Sequence, residues 1–152
     1  MKILVDADST KRIPQLISIA KRYKIPIQLY SDYSRHFVSD YAEVIYSDIS
    51  PESTDITLLN QCKKGDIVIT NDIGLAGIAL AKGAKVIHNS GRILTNQQIE
   101  LDLTYRAMKQ NMRRHVKHAS QSRKVRLGLE HDPNCDFYKN LLQLIETSLD
   151  NA

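Results

Sequence analysis

Apolar residues recur along the first ninety positions with two alternating spacings, and the alternation predicts strands interleaved with helices. Lys2–Val5 is a short apolar run that reads as a strand, while Thr10–Tyr23 carries Ile13, Leu16, Ile17 and Ala20 at helical spacing. Pro26–Tyr30 and Ala42–Tyr46 read as the next two strands. The stretch SPESTDITLLNQCKKG predicts a helix with acidic residues near its start, Lys63 and Lys64 in its last turn and Gly65 as its stop. DIVIT, Asp66–Thr70, is β-branched and apolar on consecutive positions, as a strand covered on both faces should be. NDIGLAGIALAKG follows as a small-residue helix in which Gly74 and Gly77 would allow close packing, and Ala84–His88 reads as a further strand.

This alternation predicts an α/β fold: a mainly parallel sheet with helices on both faces. After Gly91 the pattern turns helical. Thr95 caps a helix carrying Ile99, Leu103 and Met108, SQSRKVRLG reads as a loop, and DFYKNLLQLIETSL predicts a last amphipathic helix with Phe137, Leu141, Leu144 and Ile145 on one side. A single domain over 1–152 is expected, with a core over 1–92 and a helical, basic extension over 93–152.

Composition narrows the function classes. No apolar run approaches the roughly 20 residues of a membrane span, and the N-terminus starts a strand rather than a signal segment, so a cytoplasmic protein without a membrane partner is expected. Cys62 and Cys135 form no CxxC pair, which argues against a disulfide framework or thiolate zinc site. No GxSxG supports a serine nucleophile. The net charge of +4 is unevenly spread. Leu103–Leu129 contains no Asp or Glu but eight basic residues: Arg106, Lys109, Arg113, Arg114, Lys117, Arg123, Lys124 and Arg126. The other 13 Lys and Arg residues face 17 acids. Such a block suits a polyanion, with nucleic acid the expected partner, although a solvated helix face followed by a loop has the same composition.

In an open parallel sheet, ligands collect outside the carboxyl ends of the strands. Asp6 and Asp8 follow the first strand, Asp72 follows DIVIT, and Asp55 lies near the start of the helix after the third strand. All four belong to that rim, and they converge if the first and fourth strands are neighbours. Clustered carboxylates repel unless a cation sits among them, and Mg²⁺ or Mn²⁺ suits oxygen ligands. Helix capping is the competing reading for each acid. Thr70 and Asn71 flank the rim and could orient water or phosphate. The aromatic stretch YSDYSRHF, with Tyr30, Tyr33, His36 and Phe37, suits either base stacking or core packing. His115 and His118 lack a third ligand beside them and are expected to be solvated or phosphate-facing.

DADST also resembles the DxDx[TV] opening of the haloacid-dehalogenase-like phosphatases, which would make Asp6 a nucleophile and Asp8 a general acid/base in a phosphomonoesterase. Those enzymes carry a later acid at a strand's end, whereas Gly65-Asp66 precedes its strand. A longer resemblance is to the YaiI/YqxD family, whose members look like PIN-type nuclease domains. It rests on VDAD, on QCKKGDIVITNDIGLAGIALAKGA, on the Gly91–Thr95 turn and on DFYKNLLQLIE, with TNDIGLA similar to a TxDxxL motif. The family's usual Cys-Pro turn after VDAD is replaced by STKRIP. The resemblance implies a three-layer PIN-like domain with Asp6 and Asp72 as metal ligands, Asp8 and Asp55 as further acids of the centre, and phosphodiester hydrolysis, with RNA as the expected substrate.

Overall fold

The computed structural model describes residues 1–48, 53–115 and 136–150. Among the described residues six strands form one sheet: β1 (Ile3–Asp6), β2 (Ile27–Asp32), β3 (Glu43–Ser47), β4 (Ile67–Ile69), β5 (Lys85–Ile87) and β6 (Ile93–Leu94). Their spatial order is β3-β2-β1-β4-β5-β6; the first five are parallel and β6 runs antiparallel to β5. The helices are α1 (Ile13–Arg22), α2 (Ser53–Gln61), α3 (Ile73–Ala81), α4 (Asn96–His115) and α5 (Phe137–Asp150). The mainly parallel α/β sheet expected from periodicity is therefore present, and β1 and β4 are neighbours.

Alternation along each strand sorts the core into two layers. Ile3 and Val5 of β1, with Ile67, Ile69 and Ile87, pack against α1 and α5. Leu4, Val68 and Val86 face the other way, against Leu58 of α2, the apolar side of α3 and Ile99 at the start of α4. Fully buried side chains such as Leu16 and Leu141 each stabilise the fold by about 2 kcal/mol relative to exposure. Thus the last helix, although far along the chain, completes a principal core layer.

Several boundaries depart from the periodic reading. α1 starts at Ile13 rather than Thr10, because Thr10 Oγ1 accepts the Arg12 N–H and Pro14 fits the first turn. α2 stops at Gln61, so Lys63 and Lys64 lie beyond it. Gly65 instead serves the turn into β4: Asp66 N–H donates to Lys63 O, and Gly65 has φ +88°. The antiparallel β6 was not foreseen; two residues carry no readable period. The turn Gly91 was expected to make is what brings it back, with Gly91 N–H donating to His88 O and His88 N–H to Arg92 O. Gly77 was expected to permit close packing, yet a Cβ there would meet nothing within 4 Å. Gly77→Ala is therefore expected to stabilise the protein by about 0.5–1 kcal/mol, through helix propensity and a less flexible unfolded chain. Urea denaturation checks this, and a loss of stability would contradict the open space.

Candidate functional site

The chain leaves β1 toward β2 and β3 on one side and fills β4 and β5 on the other, so the carboxyl ends of β1 and β4 flank the topological switch point of the sheet. Asp6 is the last residue of β1, paired with Tyr30, and only 8% exposed. Its Oδ2 accepts from Ser9 Oγ at 2.8 Å and from Thr70 Oγ1 at 3.1 Å. Burial raises the Asp6 pKa, an effect partly offset by these hydroxyls and reinforced by the neighbouring Asp8 charge. Among the described residues no Lys or Arg forms an ion pair with it.

Strand-end polar residues hold this carboxylate in place. Thr70 Oγ1, while donating to Asp6, accepts the Asp72 N–H at 3.0 Å, so one hydroxyl links the two aspartates. Ser9 Oγ accepts the Asn71 N–H, Asn71 Nδ2 donates to Ser9 O, and Asn71 Oδ1 accepts the Asn89 N–H. Asn71 thereby ties together the loops after β1, β4 and β5. Thr70 and Asn71, which flank the rim and could orient water or phosphate, also hold the protein groups around Asp6 in place.

The other acids have diverging local duties. Asp72 is exposed and caps α3, its Oδ1 accepting from Gly74 N–H at 2.9 Å and Leu75 N–H at 3.2 Å. Asp8 sits on a 3₁₀ turn (Ala7–Ser9) and pairs at 3.4 Å with Arg35, whose guanidinium also donates to Ala7 O. Asp55 stands half-buried in the first turn of α2. Ser47 Oγ at the end of β3 lies 2.8 Å from Thr54 Oγ1, which fastens that turn to the edge strand. All four acids occupy the expected rim. Among the described residues, however, no three acid, imidazole or thiol side chains stand close enough to hold one ion.

The donors nearest the switch point are oxygens only, which suits a hard divalent cation, and Mg²⁺ commonly takes just one or two carboxylates with waters and a substrate phosphate. Thr70 connects the Asp6 carboxylate to the backbone N–H of Asp72, while both cap bonds of the Asp72 carboxylate fall on Oδ1 and leave Oδ2 out of them. Asp66 lies at the opposite rim, where it accepts Lys2 N–H and Lys63 N–H and pairs with the Lys2 ammonium, so it contributes nothing to a phosphatase-like acid set.

Of the basic block, Arg106 and Lys109 are exposed on α4. Arg113, Arg114 and His115 fall within α4 with their side chains outside the described part; Lys117, His118, Arg123, Lys124, Arg126 and Cys135 lie outside the described residues. In the aromatic stretch, Tyr30 is buried in the layer with α2 and α3, Phe37 is partly buried against the opposite layer with α1, and Tyr33 is 66% exposed and stacked on Tyr46. Ser9 and Arg35 were not foreseen. Ser9 follows the acids directly and its hydroxyl was a usable signal; Arg35 reaches its partners only through tertiary structure. Among the described residues no helix is long and apolar enough to cross a membrane.

A family model described as "Uncharacterized BCR, YaiI/YqxD family" matches residues 4–147. A "UPF0178 protein" of Natranaerobius thermophilus is 39% identical over 149 residues, covering 95% of each chain. Another, of Alkaliphilus oremlandii, is 44% identical over 114 residues, 75% of this chain and 74% of its own. No solved structure matches the chain. Since the family match runs through the sheet, the rim and the closing helix alike, the chain belongs to the YaiI/YqxD family.

Proposed function

We propose that this chain is a Mg²⁺- or Mn²⁺-dependent, PIN-like nuclease that hydrolyses phosphodiester bonds, with RNA as its substrate. One observation carries the reading: a buried Asp6 carboxylate at the switch point has hydroxyl partners but no cationic one among the described residues. Such a group is costly to keep ionised and is matched to a cation arriving with substrate. Asp6 and Asp72 would hold the ion, with Asp8 and Asp55 as outlying acids of the rim. The ion would neutralise phosphoryl charge and lower the pKa of a bound water. Ser9 and Thr70 orient Asp6, and Asn71 keeps the three loops in register. Arg106 and Lys109, with the basic residues that follow them, would hold the phosphate backbone.

The competing reading is a nucleic-acid-binding module without catalysis, favoured by Asp72 serving as a helix cap. End-labelled single-stranded RNA and DNA, incubated with Mn²⁺, Mg²⁺ or chelator, separate the two. Cleavage that requires metal is expected, with RNA preferred. Binding without cleavage under every metal condition would refute the nuclease. Arg106→Glu with Lys109→Glu is further expected to weaken RNA binding and flatten its salt dependence by about two phosphate contacts. A filter-binding salt titration reads this, and an unchanged slope would remove α4 from the interface.

A further inference from the structure

We propose that the groove between α1 and the segment joining β2 to β3 seats one unpaired nucleotide of the substrate strand, its base against the apolar wall and its phosphate toward Lys11 and Arg35. The inference rests on the nucleic-acid reading above and adds a recognition site to it. The groove has a volume of about 580 Å³, within the range of small-ligand sites. Pro14 and Ile17 of α1 form one wall, Phe37 and Val38 the other, and Leu29 of β2 lies beneath them. Val38 is 87% exposed, so an apolar side chain stands at the mouth with solvent on most sides. Lys11, Arg35 and His36 line the same groove, and no Asp or Glu does. An apolar slot edged by Lys11, Arg35, His36 and two hydroxyls, with no carboxylate in its lining, complements a flat, weakly polar ring joined to an anion.

Arg35 connects this slot to the carboxylate rim. Arg35 lines the groove, and its guanidinium reaches Asp8 at 3.4 Å and Ala7 O at 3.3 Å, one residue beyond Asp6. A strand whose scissile phosphate approached Asp6 would thus pass a neighbouring nucleotide over Arg35 into the groove. The apolar wall has no directional readout of base edges, so recognition there is tolerant of sequence and demands an unpaired base.

The test is a ¹⁵N-resolved NMR titration of the intact protein with AMP, and with ribose 5-phosphate as the same anion lacking a base. AMP is expected to shift the amides of Lys11, Ile17 and Val38, and ribose 5-phosphate to bind about tenfold more weakly for want of stacking. Val38→Asp, at a site with little burial to lose, is expected to leave the melting temperature in place and weaken AMP by about tenfold. Equal binding of the two ligands, shifts confined to another face, or an unaffected Val38→Asp variant would overturn the proposal. Wild-type hydrolysis of bis(p-nitrophenyl) phosphate with Mn²⁺ is followed in parallel. If the diester is cut while AMP misses the groove, the groove proposal alone falls. If AMP seats in the groove while neither the diester nor RNA is cut, the nuclease reading falls and the groove remains a nucleotide site.

Discussion

Asp6→Asn is expected to lower metal-dependent RNA cleavage at least about a hundredfold and, at the same time, to make the protein more stable. The first effect follows from removing the charge that would bind the ion. The second follows from the surroundings of Asp6: 8% exposure, two neutral hydroxyl donors, and a like charge at Asp8. Its pKa in the folded protein is raised above the ordinary value of 3.8, chiefly by burial. A raised carboxylate favours folding fully below its unfolded value, and that contribution is lost as pH climbs through the folded value. At neutral pH the ionised Asp6 therefore detracts from stability. Asn keeps an oxygen for Ser9 and Thr70 without the charge. In chelator, the melting temperature of Asp6→Asn should exceed that of wild type near neutral pH, with the gap closing as pH falls toward 3.8. Mn²⁺ should then raise the wild-type melting temperature and leave the variant unmoved. A variant that still cuts, or that is less stable at neutral pH, would contradict this account of Asp6.

Gly91→Ala is expected to destabilise the protein by about 3 kcal/mol, the largest effect foreseen for removal or addition of one methyl group. Gly91 has φ +100°, a conformation that side chains rarely adopt. A Cβ there would also lie 2.7 Å from Phe137 N and 2.8 Å from Phe137 Cα. These are backbone atoms at the start of a packed helix and cannot swing aside as a flexible side chain would. Phe137 is 2% exposed, its ring lies 4.9 Å from the Arg12 guanidinium, and Asn140 Nδ2 donates to Gly91 O at 2.7 Å. Relieving the clash would therefore lift α5 from the turn and open the layer it shares with α1. For a chain of this length the melting temperature should fall by about 6–12 °C. Calorimetry or urea denaturation measures it, and a change below about 1 kcal/mol would mean that α5 does not dock on this turn.

Much of the sheet was legible because parallel strands leave consecutive apolar residues, as in DIVIT, and because α1 and α5 carry full apolar stripes. What was not legible depended on contacts between distant segments. β6 exists only through its pairing with β5, and α2 stops early because Lys63–Asp66 is needed as a turn. The rim itself could be read from where acids follow strands. The duty of each acid could not: a TxD pattern serves equally for a ligand and for the N-cap that Asp72 forms. Arg35, which pairs with Asp8, lies 27 positions away with no motif between them. Ser9 donates to Asp6 within one turn and was within reach of the sequence, but its contact with the Asn71 N–H requires β1 and β4 to lie side by side.

The position of α5 also bears on how the protein is made. One face of the sheet receives α2 and α3, which emerge in sequence with the strands they cover. The other face has α1 early, but Phe137, Leu141, Leu144 and Ile145 arrive only after every strand has been synthesised. Until then Ile67, Ile69 and Ile87 lack part of their cover, in a nascent chain whose earlier elements can already pair. For that interval the growing chain carries a sticky half-face, and completion of the final helix, rather than of the sheet, sets when it becomes safe from association with its neighbours.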